Sequence, residues 1–335
     1  MKTFRLIGMA LLAIVLCANF TGCSKNDAIP ESEEVKEYIV SLGVGGEISI
    51  TESPLSRADM NKDLHGIQVY SCPNTKNSTT YTPYAYGLFD DVTSLKIKLL
   101  DGYKYKFIVT TVINGKDRIN WIGNNKYGNP FSCYGKSDGS DVEIMNTFKY
   151  TSTEYFYGLG RGNSWSDIEN TFVERPNLDR FYGEYLDYIP KENDSLIISM
   201  KRASFGVKFV ADNFTEGILT ISMEDAPKIT IAYPSESFYD VFSFYYTESA
   251  YQTDNYSETV LTSISWEKND GVSIPLGNYN ITFKRNKLTT INIKIVEKII
   301  NNGIGIQLDE ELEDGDNITI ENGEVIDTTI DTPAE

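Results

Sequence analysis

Apolar and polar residues alternate with a period of two along much of this chain. The alternation runs through Leu95, Ile97 and Leu99 and resumes after a turn at Asp101-Gly102. It then continues through Tyr103, Tyr105, Phe107 and Val109. Successive side chains of a strand point to opposite faces of a sheet. The pattern therefore predicts a hairpin with one apolar face per strand.

Earlier in the chain, Tyr38–Val40 and 48–51 flank a glycine-rich stretch at Gly43–Gly46. Two short apolar runs around such a turn predict another hairpin. Residues 65–70 predict the next strand. Asn, Gly, Ser and Tyr dominate residues 113–193, where we expect loops and insertions to outweigh sheet, with strands at 143–150 and 154–157.

From Leu196 onward, short apolar runs follow one another closely. β-branched and aromatic residues are abundant, and no apolar stripe of helical period extends over three turns. Turn signals recur every eight to twelve residues or so, which is typical of all-β domains. The predicted strands are 196–200, 205–210, 218–223, 228–232, 241–245, 260–266, 271–274, 279–283 and 290–296.

A chain of 335 residues is long enough for two domains, since a domain commonly takes roughly 100 to 200 residues. The change of character near Ser195 predicts a boundary there. We expect an N-terminal all-β domain at 37–193 and a C-terminal one at 194–300. The remaining segment, 301–335, is expected to hold an extra hairpin or a donor strand.

The first twenty-three residues have the features of an export signal. Lys2 and Arg5 precede the uncharged run Ile7–Leu16, and Phe20-Thr21-Gly22-Cys23 follows. This last stretch resembles a bacterial lipobox, in which small residues precede a cysteine that is acylated before the signal is removed. The resemblance implies a signal peptide at 1–22, a lipid on Cys23 and an outer-membrane, surface location. The polar, acidic residues 23–36 then form a tether. The alternatives are an ordinary secretory signal or a transmembrane anchor.

Net charge and composition limit the kinds of partner and of catalytic or metal site that the chain can have. The chain carries a net charge of −18 at pH 7 and a single histidine, His65. A strongly acidic chain is a poor partner for nucleic acid. One histidine leaves few ways to build a zinc site or a Ser-His or Cys-His catalytic arrangement. We therefore expect a protein that is not an enzyme and has no cofactor and no metal.

Two cysteines remain once Cys17 leaves with the signal and Cys23 carries lipid. Cys72 and Cys133 could form one disulfide in an oxidising compartment. Two buried free thiols are the alternative, and the sequence does not distinguish between them.

Three segments, together with the lipobox and tether, resemble the fimbrillin family of lipoprotein pilins and pilus-associated proteins. They are ISITESPLSRADMNKDLHGIQVY at 48–70, ISMKRASFGVKFVADNFTEGILTI at 198–221 and PLGNYNITFKRNKLTTINIKI at 275–295. The resemblance implies two tandem transthyretin-like β-sandwich domains and a role in a pilus and in adhesion. Its expected partners are other pilus subunits joined by β-strand addition, the lipid bilayer and a host or bacterial surface ligand.

In the polymerising members of this family, a protease cuts after an arginine that follows the first strand. Arg57, followed by Ala58, is the matching position, and it lies in a predicted loop. The alternative is a solvated arginine in a turn.

Tyrosine-rich clusters favour a second function, glycan binding by a surface lipoprotein of a polysaccharide uptake system, because aromatic faces stack on sugar rings. The same residues also fill β-sandwich cores. The clusters are Tyr81, Tyr84, Tyr86 and Phe89; Tyr155, Phe156 and Tyr157; Phe181, Tyr182, Tyr185 and Tyr188; and Phe238, Tyr239, Phe242, Phe244, Tyr245 and Tyr246. Between two of these clusters, the glycine-rich stretch 158–162 is interpreted as a flexible loop.

Replacing Cys23 by serine tests the predicted lipid anchor. A serine hydroxyl cannot form the thioether, so we expect Cys23→Ser to lose acyl labelling and to move from the detergent phase to the aqueous phase. Cys17→Ser is the matched control and should keep both properties. Continued detergent partitioning of Cys23→Ser would contradict the lipoprotein prediction.

Overall fold

Buried and exposed residues alternate along the strands of the computed structural model. Ser195–Arg202 and Ser204–Asp212 show this period clearly. The alternation is the one that the sequence predicts, and the all-β prediction is confirmed. The structure describes residues 35–47, 62–119, 126–165 and 171–295, and the backbone of 318–321 and 324–327.

The strands are named in chain order. The first five are β1 (Glu37–Gly46), β2 (Leu64–Pro73), β3 (Thr82–Phe89), β4 (Leu95–Leu100) and β5 (Tyr103–Val112). Seven two-residue strands follow: β6 (Lys126–Tyr127), β7 (Cys133–Tyr134), β8 (Val142–Glu143), β9 (Lys149–Tyr150), β10 (Tyr155–Phe156), β11 (Ser164–Trp165) and β12 (Phe172–Val173). Next come β13 (Arg180–Tyr188), β14 (Ser195–Arg202), β15 (Ser204–Asp212), β16 (Ile218–Met223), β17 (Ile229–Ala232), β18 (Ser237–Ser243), β19 (Ser257–Glu267), β20 (Ser273–Lys284) and β21 (Leu288–Lys294).

Within the described ranges, the helices are α1 (Gly115–Arg118) and α2 (Thr247–Gln252), and neither is long and apolar enough to cross a membrane. Near the C-terminus, β22 (Ile318–Glu321) and β23 (Glu324–Asp327) pair as an antiparallel hairpin.

The two halves of the chain share the same strand order. In the first sandwich, one eight-stranded sheet in the order β4-β1-β14-β13-β5-β2-β3-β9 folds over a shared core, so that β4-β1-β14 form one layer and β13-β5-β2-β3 lie in the other. In the second, the layers are β18-β15-β21 and β17-β16-β19-β20. Numbered within each half, both read 4-1-7 over 3-2-5-6, and in both the first strand lies parallel to the seventh. The predicted architecture of two tandem transthyretin-like sandwiches is confirmed.

Each sandwich has its own core. In the first, Val40 and Ile198 from one layer pack with Val69 and Phe107 from the other. The second core is centred on Phe205, whose ring stacks on Phe283 at 4.5 Å between centroids. A third cluster includes Tyr86, Leu88, Phe131 and Phe156 and covers the outer face of β2 and β3. β2 is therefore buried on both faces, and its second cover comes from described residues such as Tyr127, Phe131 and Phe156.

Several sequence predictions differ from the structure. No turn forms at Gly43–Gly46, because β1 continues through these glycines and pairs with β14; residues 48–51 lie outside the described ranges. The strands predicted at 271–274 and 279–283 are one strand, β20, whose register shifts opposite Ile264 and Ser265. The boundary predicted at 193/194 falls too early, since β14 completes the first sandwich by pairing with β1 and β13.

The glycine-rich stretch 158–162, here called the bridging loop, is fixed in place rather than flexible. The Leu159 carbonyl accepts hydrogen bonds from Thr110 Oγ1 at 2.8 Å and from Arg180 Nη2 at 3.1 Å. Arg180 Nη1 also donates to the Arg161 carbonyl. The first sandwich therefore holds the loop through side chains of β5 and β13.

The second sandwich holds the same loop from the other side. Thr247 Oγ1 donates to the Leu159 carbonyl at 3.3 Å, and Gly162 N donates to the Tyr245 carbonyl at 2.6 Å. A Cβ on Gly162 would collide with the Phe244 carbonyl oxygen. The described residues from Glu37 to Ile295 accordingly belong to one compact unit.

Alanine substitutions in the bridging loop test this arrangement. Gly162→Ala should lower the free energy of unfolding by about 2 kcal/mol, because the new methyl group meets backbone that cannot rotate away. Gly160→Ala is the matched control, since its Cβ would make an ordinary 3.4 Å contact with Glu248, and it should stay within about 0.5 kcal/mol of the parent. Equal denaturant midpoints for both variants would contradict the packed loop.

Candidate functional site

Strand β1 occupies the middle of its layer. Residues Glu37–Leu42 pair antiparallel with β4, and Ser41–Gly46 pair parallel with β14. Val40 is 0% exposed and Leu42 is also buried, while Ile39 between them points to solvent. β1 thus completes two hydrogen-bonded edges and covers part of an apolar core.

Glu47, directly after β1, links this strand to both sandwiches. Its backbone N–H donates to the Met200 carbonyl at 2.9 Å, and its Oε2 accepts from Arg202 N at 2.8 Å. The guanidinium of Arg285, in the turn after β20, donates to Oε1 and Oε2 at 3.0 and 2.7 Å. The end of β1 is therefore coupled by charge to the second sandwich.

The chain between β1 and β2 contains the candidate processing position. Arg57 and Ala58 lie outside the described residues, as does Cys23. β1 ends at Gly46 and β2 begins at Leu64, so any cut at Arg57 separates β1 from the rest of the chain. The acylation of Cys23 and the cleavage at Arg57 stay predictions.

A cleft of about 440 Å³, here called the tyrosine cleft, opens on the opposite side of the first sandwich. Its floor is the outer face of the four-stranded layer, with Gln68 and Tyr70 on β2, Ile108 on β5 and Tyr182 on β13. Gln68 is completely buried, and its side-chain oxygen accepts from Phe156 N at 2.8 Å. The floor is therefore rigid and mixes apolar rings with polar groups.

The walls of the tyrosine cleft come from two parts of the chain. Tyr155 and Tyr157 lie at and just after β10, next to the bridging loop, whereas Tyr246 and Glu248 lie at the start of α2. Tyr157 is 49% exposed and Tyr246 is 54% exposed. Because the bridging loop fixes both walls, the second sandwich contributes directly to the shape of the cleft.

Burial dominates the electrostatics of the cleft floor. It raises the pKa of Tyr70 to about 12 and raises that of Tyr182 further, with the neighbouring carboxylates of Glu184 and Glu248 adding to the second shift. Both phenols are thus neutral hydrogen-bonding groups at any physiological pH. At the rim, the exposed Arg161 and Glu248 bring one charge of each sign.

The aromatic clusters of the sequence divide between core and cleft. Tyr84 packs edge-on against Tyr105, and Phe205 contacts Phe242 and Phe244, so these rings belong to sandwich cores. Members of three of the clusters, including Tyr246 from the cluster of Phe242 and Phe244, meet at the tyrosine cleft, namely Tyr155, Phe156, Tyr157, Tyr182 and Tyr246. The sequence identified these residues but not their meeting, because they lie on different strands and in both halves of the chain.

The candidate disulfide does not form in the structure, where Cys72 and Cys133 are both buried free thiols. Cys133 lies opposite Phe156, which bonds to Gln68, four residues along β2 from Cys72. Burial also raises the pKa of Cys133 to about 11, which keeps it protonated and unreactive.

Within the part of the chain that the structure describes, no group of three His, Cys, Asp or Glu residues is placed to hold a metal ion. His65 lies buried on β2, with its Nδ1 at 2.8 Å from Thr111 Oγ1. It therefore belongs to the packing of the sheet rather than to the tyrosine cleft.

No family model and no curated protein matches this chain. Solved structures do match it, among them the fimbrial anchor protein Mfa2 from Porphyromonas gingivalis. That protein is 12% identical, with a TM-score of 0.38 over 87% of this chain and 99% of its own. A candidate cell adhesion protein from Bacteroides uniformis is 6% identical, with a TM-score of 0.37 over 86% and 99%. A candidate polysaccharide-binding protein from Bacteroides thetaiotaomicron is 10% identical, with a TM-score of 0.35 over 87% and 98%.

At such identities and TM-scores, the likenesses carry no assignment of function to this chain.

Proposed function

We propose that this protein is a surface-anchored adhesion protein of the fimbrial kind, a structural or accessory subunit of a pilus that assembles by β-strand addition. The observation that carries the proposal is the position of β1. It is the first described strand of the chain, it lies between β4 and β14, and its link to the rest of the sandwich passes through Arg57. The protein acts by binding and assembly rather than by turnover.

Loss of β1 would leave a defined acceptor. The facing edges of β4 and β14 would each have unpaired N–H and C=O groups, and the apolar core beneath Val40 and Leu42 would be open. An extended segment with the same alternation repairs both defects at once. Burying two such side chains contributes about 1.5 to 3 kcal/mol each, in addition to the restored hydrogen bonds.

The C-terminal segment has the pattern that such an acceptor requires. Ile304, Ile306 and Leu308 alternate with Gly305 and Gln307, as Val40 and Leu42 alternate with Ser41 in β1. The hairpin of β22 and β23 follows this stretch in the chain. We propose residues 304–320 as the donor to another subunit or as a capping hairpin.

The lipid on Cys23 would hold the uncut protein on the outer membrane, with residues 24–36 as spacer. Several acyl chains, at about 0.8 kcal/mol per buried methylene, give firm attachment. A cut at Arg57 would free the folded part from this anchor together with β1. Anchoring and polymerisation are therefore alternative fates of one chain.

Treatment of the mature protein with an arginine-specific protease tests strand addition. The parent should be cut at Arg57 and should form ladders that resist sodium dodecyl sulfate. Arg57→Lys should give neither product, because lysine keeps the charge but not the recognised side chain. The measurements are gel electrophoresis and N-terminal sequencing of the product, which should begin at Ala58.

Arg161→Lys is the matched control, since Arg161 is also exposed but lies in the packed bridging loop. It should be cut at Arg57 and should form ladders like the parent. Ladders from Arg57→Lys, or a parent that is cut at Arg57 and remains monomeric under all assembly conditions, would reject polymerisation by this route.

A further inference from the structure

The floor of the tyrosine cleft presents hydroxyl groups without protein partners. Tyr182 is 1% exposed, and its hydroxyl makes no hydrogen bond to any residue that the structure describes. Tyr70, two strands away on the same face, makes none within those ranges either. A ligand that displaces water from this floor must offer hydrogen-bonding groups to both, because polar groups buried without partners are destabilising. A purely apolar ligand is therefore a poor occupant.

The walls present aromatic surface. Tyr157 and Tyr246 are about half exposed, and both line the cleft. Tyr246 packs edge-on against Tyr245 at 4.4 Å between ring centroids, which fixes the direction of its exposed face. Tyrosine combines a flat apolar face with a polar tip at little conformational cost. Two such rings around a polar floor match a ligand that has apolar faces and a rim of hydroxyl groups.

The charges at the rim argue against an anionic ligand. Glu248, at the start of α2, faces the same cleft as Arg161, and the other lining residues are uncharged. A phosphate or sulfate group would meet the carboxylate as well as the guanidinium. The same two groups readily bind neutral hydroxyls, with the carboxylate accepting and the guanidinium donating hydrogen bonds.

We infer that the tyrosine cleft binds a neutral pyranose unit of an oligosaccharide, stacked against Tyr157 and Tyr246 and hydrogen-bonded by Tyr182, Arg161 and Glu248. A pyranose ring has C–H faces for the aromatic walls and hydroxyls for the floor and rim. A cleft of about 440 Å³ is within the range of small-ligand sites, and its open mouth lets the rest of a chain extend outward. The cleft and β1 lie on opposite sides of the first sandwich, so binding does not depend on strand addition.

Saturation-transfer NMR on the full chain tests the inference, with mannohexaose, laminarihexaose, galactohexaose and chitohexaose as neutral probes and hyaluronan hexasaccharide as the anionic one. At least one neutral probe should bind, and more tightly than the anionic probe. Tyr246→Ala and Tyr157→Ala should each weaken binding at least tenfold. Tyr182→Phe should weaken it three- to tenfold, because it removes only the hydroxyl.

Two controls keep the outcomes separate. Tyr239→Ala removes an exposed ring of β18 outside the cleft and should bind like the parent. Arg57→Lys should also bind like the parent, whereas Tyr246→Ala should still form protease-dependent ladders. Thermal unfolding of each variant shows whether the fold is retained, which the exposure of Tyr157 and Tyr246 leads us to expect.

Binding to none of the neutral probes would overturn the inference. Tighter binding of the anionic probe would do the same, as would a folded Tyr246→Ala and a folded Tyr157→Ala that both bind like the parent. None of these results would bear on cleavage at Arg57 or on ladders, so strand addition is tested independently of sugar binding.

Discussion

The arrangement of the two sandwiches depends on how one buried charge is satisfied. Arg180, on β13, is 0% exposed, and within the described ranges it bonds to carbonyl oxygens rather than to a carboxylate. Burial lowers its pKa to about 9, so it remains charged at neutral pH. A buried guanidinium without acceptors would be strongly destabilising. The carbonyls of Leu159 and Arg161 supply those acceptors, which requires the bridging loop to pass directly over β13.

That requirement explains the glycines of the loop. Gly158 lies where a Cβ would approach the Pro130 carbonyl oxygen to 2.7 Å, and Gly162 lies against the backbone at Phe244. At both points only glycine fits, because a Cβ would meet backbone atoms. Once the loop is in place, Tyr157 and Tyr246 both line the cleft. The shape of the cleft therefore follows from the acceptors that Arg180 needs.

Periodicity predicted most of the fold because it reports what each strand buries. β4, β5, β14, β15, β16 and β19 lie where the alternation placed them. It failed at β1, where Gly43 and Gly45 look like a turn but face Ile197 across a parallel pair. It also failed for residues 158–162, since glycine spacing does not distinguish conformational freedom from close approach. The cleft could not be predicted at all, because the tyrosines that line it are separated by as many as 176 positions, from Tyr70 to Tyr246.

Two faces of the first sandwich thus have separate proposed roles, strand addition at one and ligand binding at the other. The layer of β4, β1 and β14 holds a strand that a cut at Arg57 would detach, and the outer face of the other layer forms the cleft floor. The Arg285 guanidinium connects the first face to the second sandwich, because it binds the Glu47 carboxylate at the end of β1. Departure of β1 would remove this carboxylate from a guanidinium whose side chain is only 11% exposed. A donor strand that ends in an acidic residue at the same position would restore the ion pair with Arg285. The acceptor would therefore select its donor by this ion pair as well as by the alternation of apolar residues along the strand.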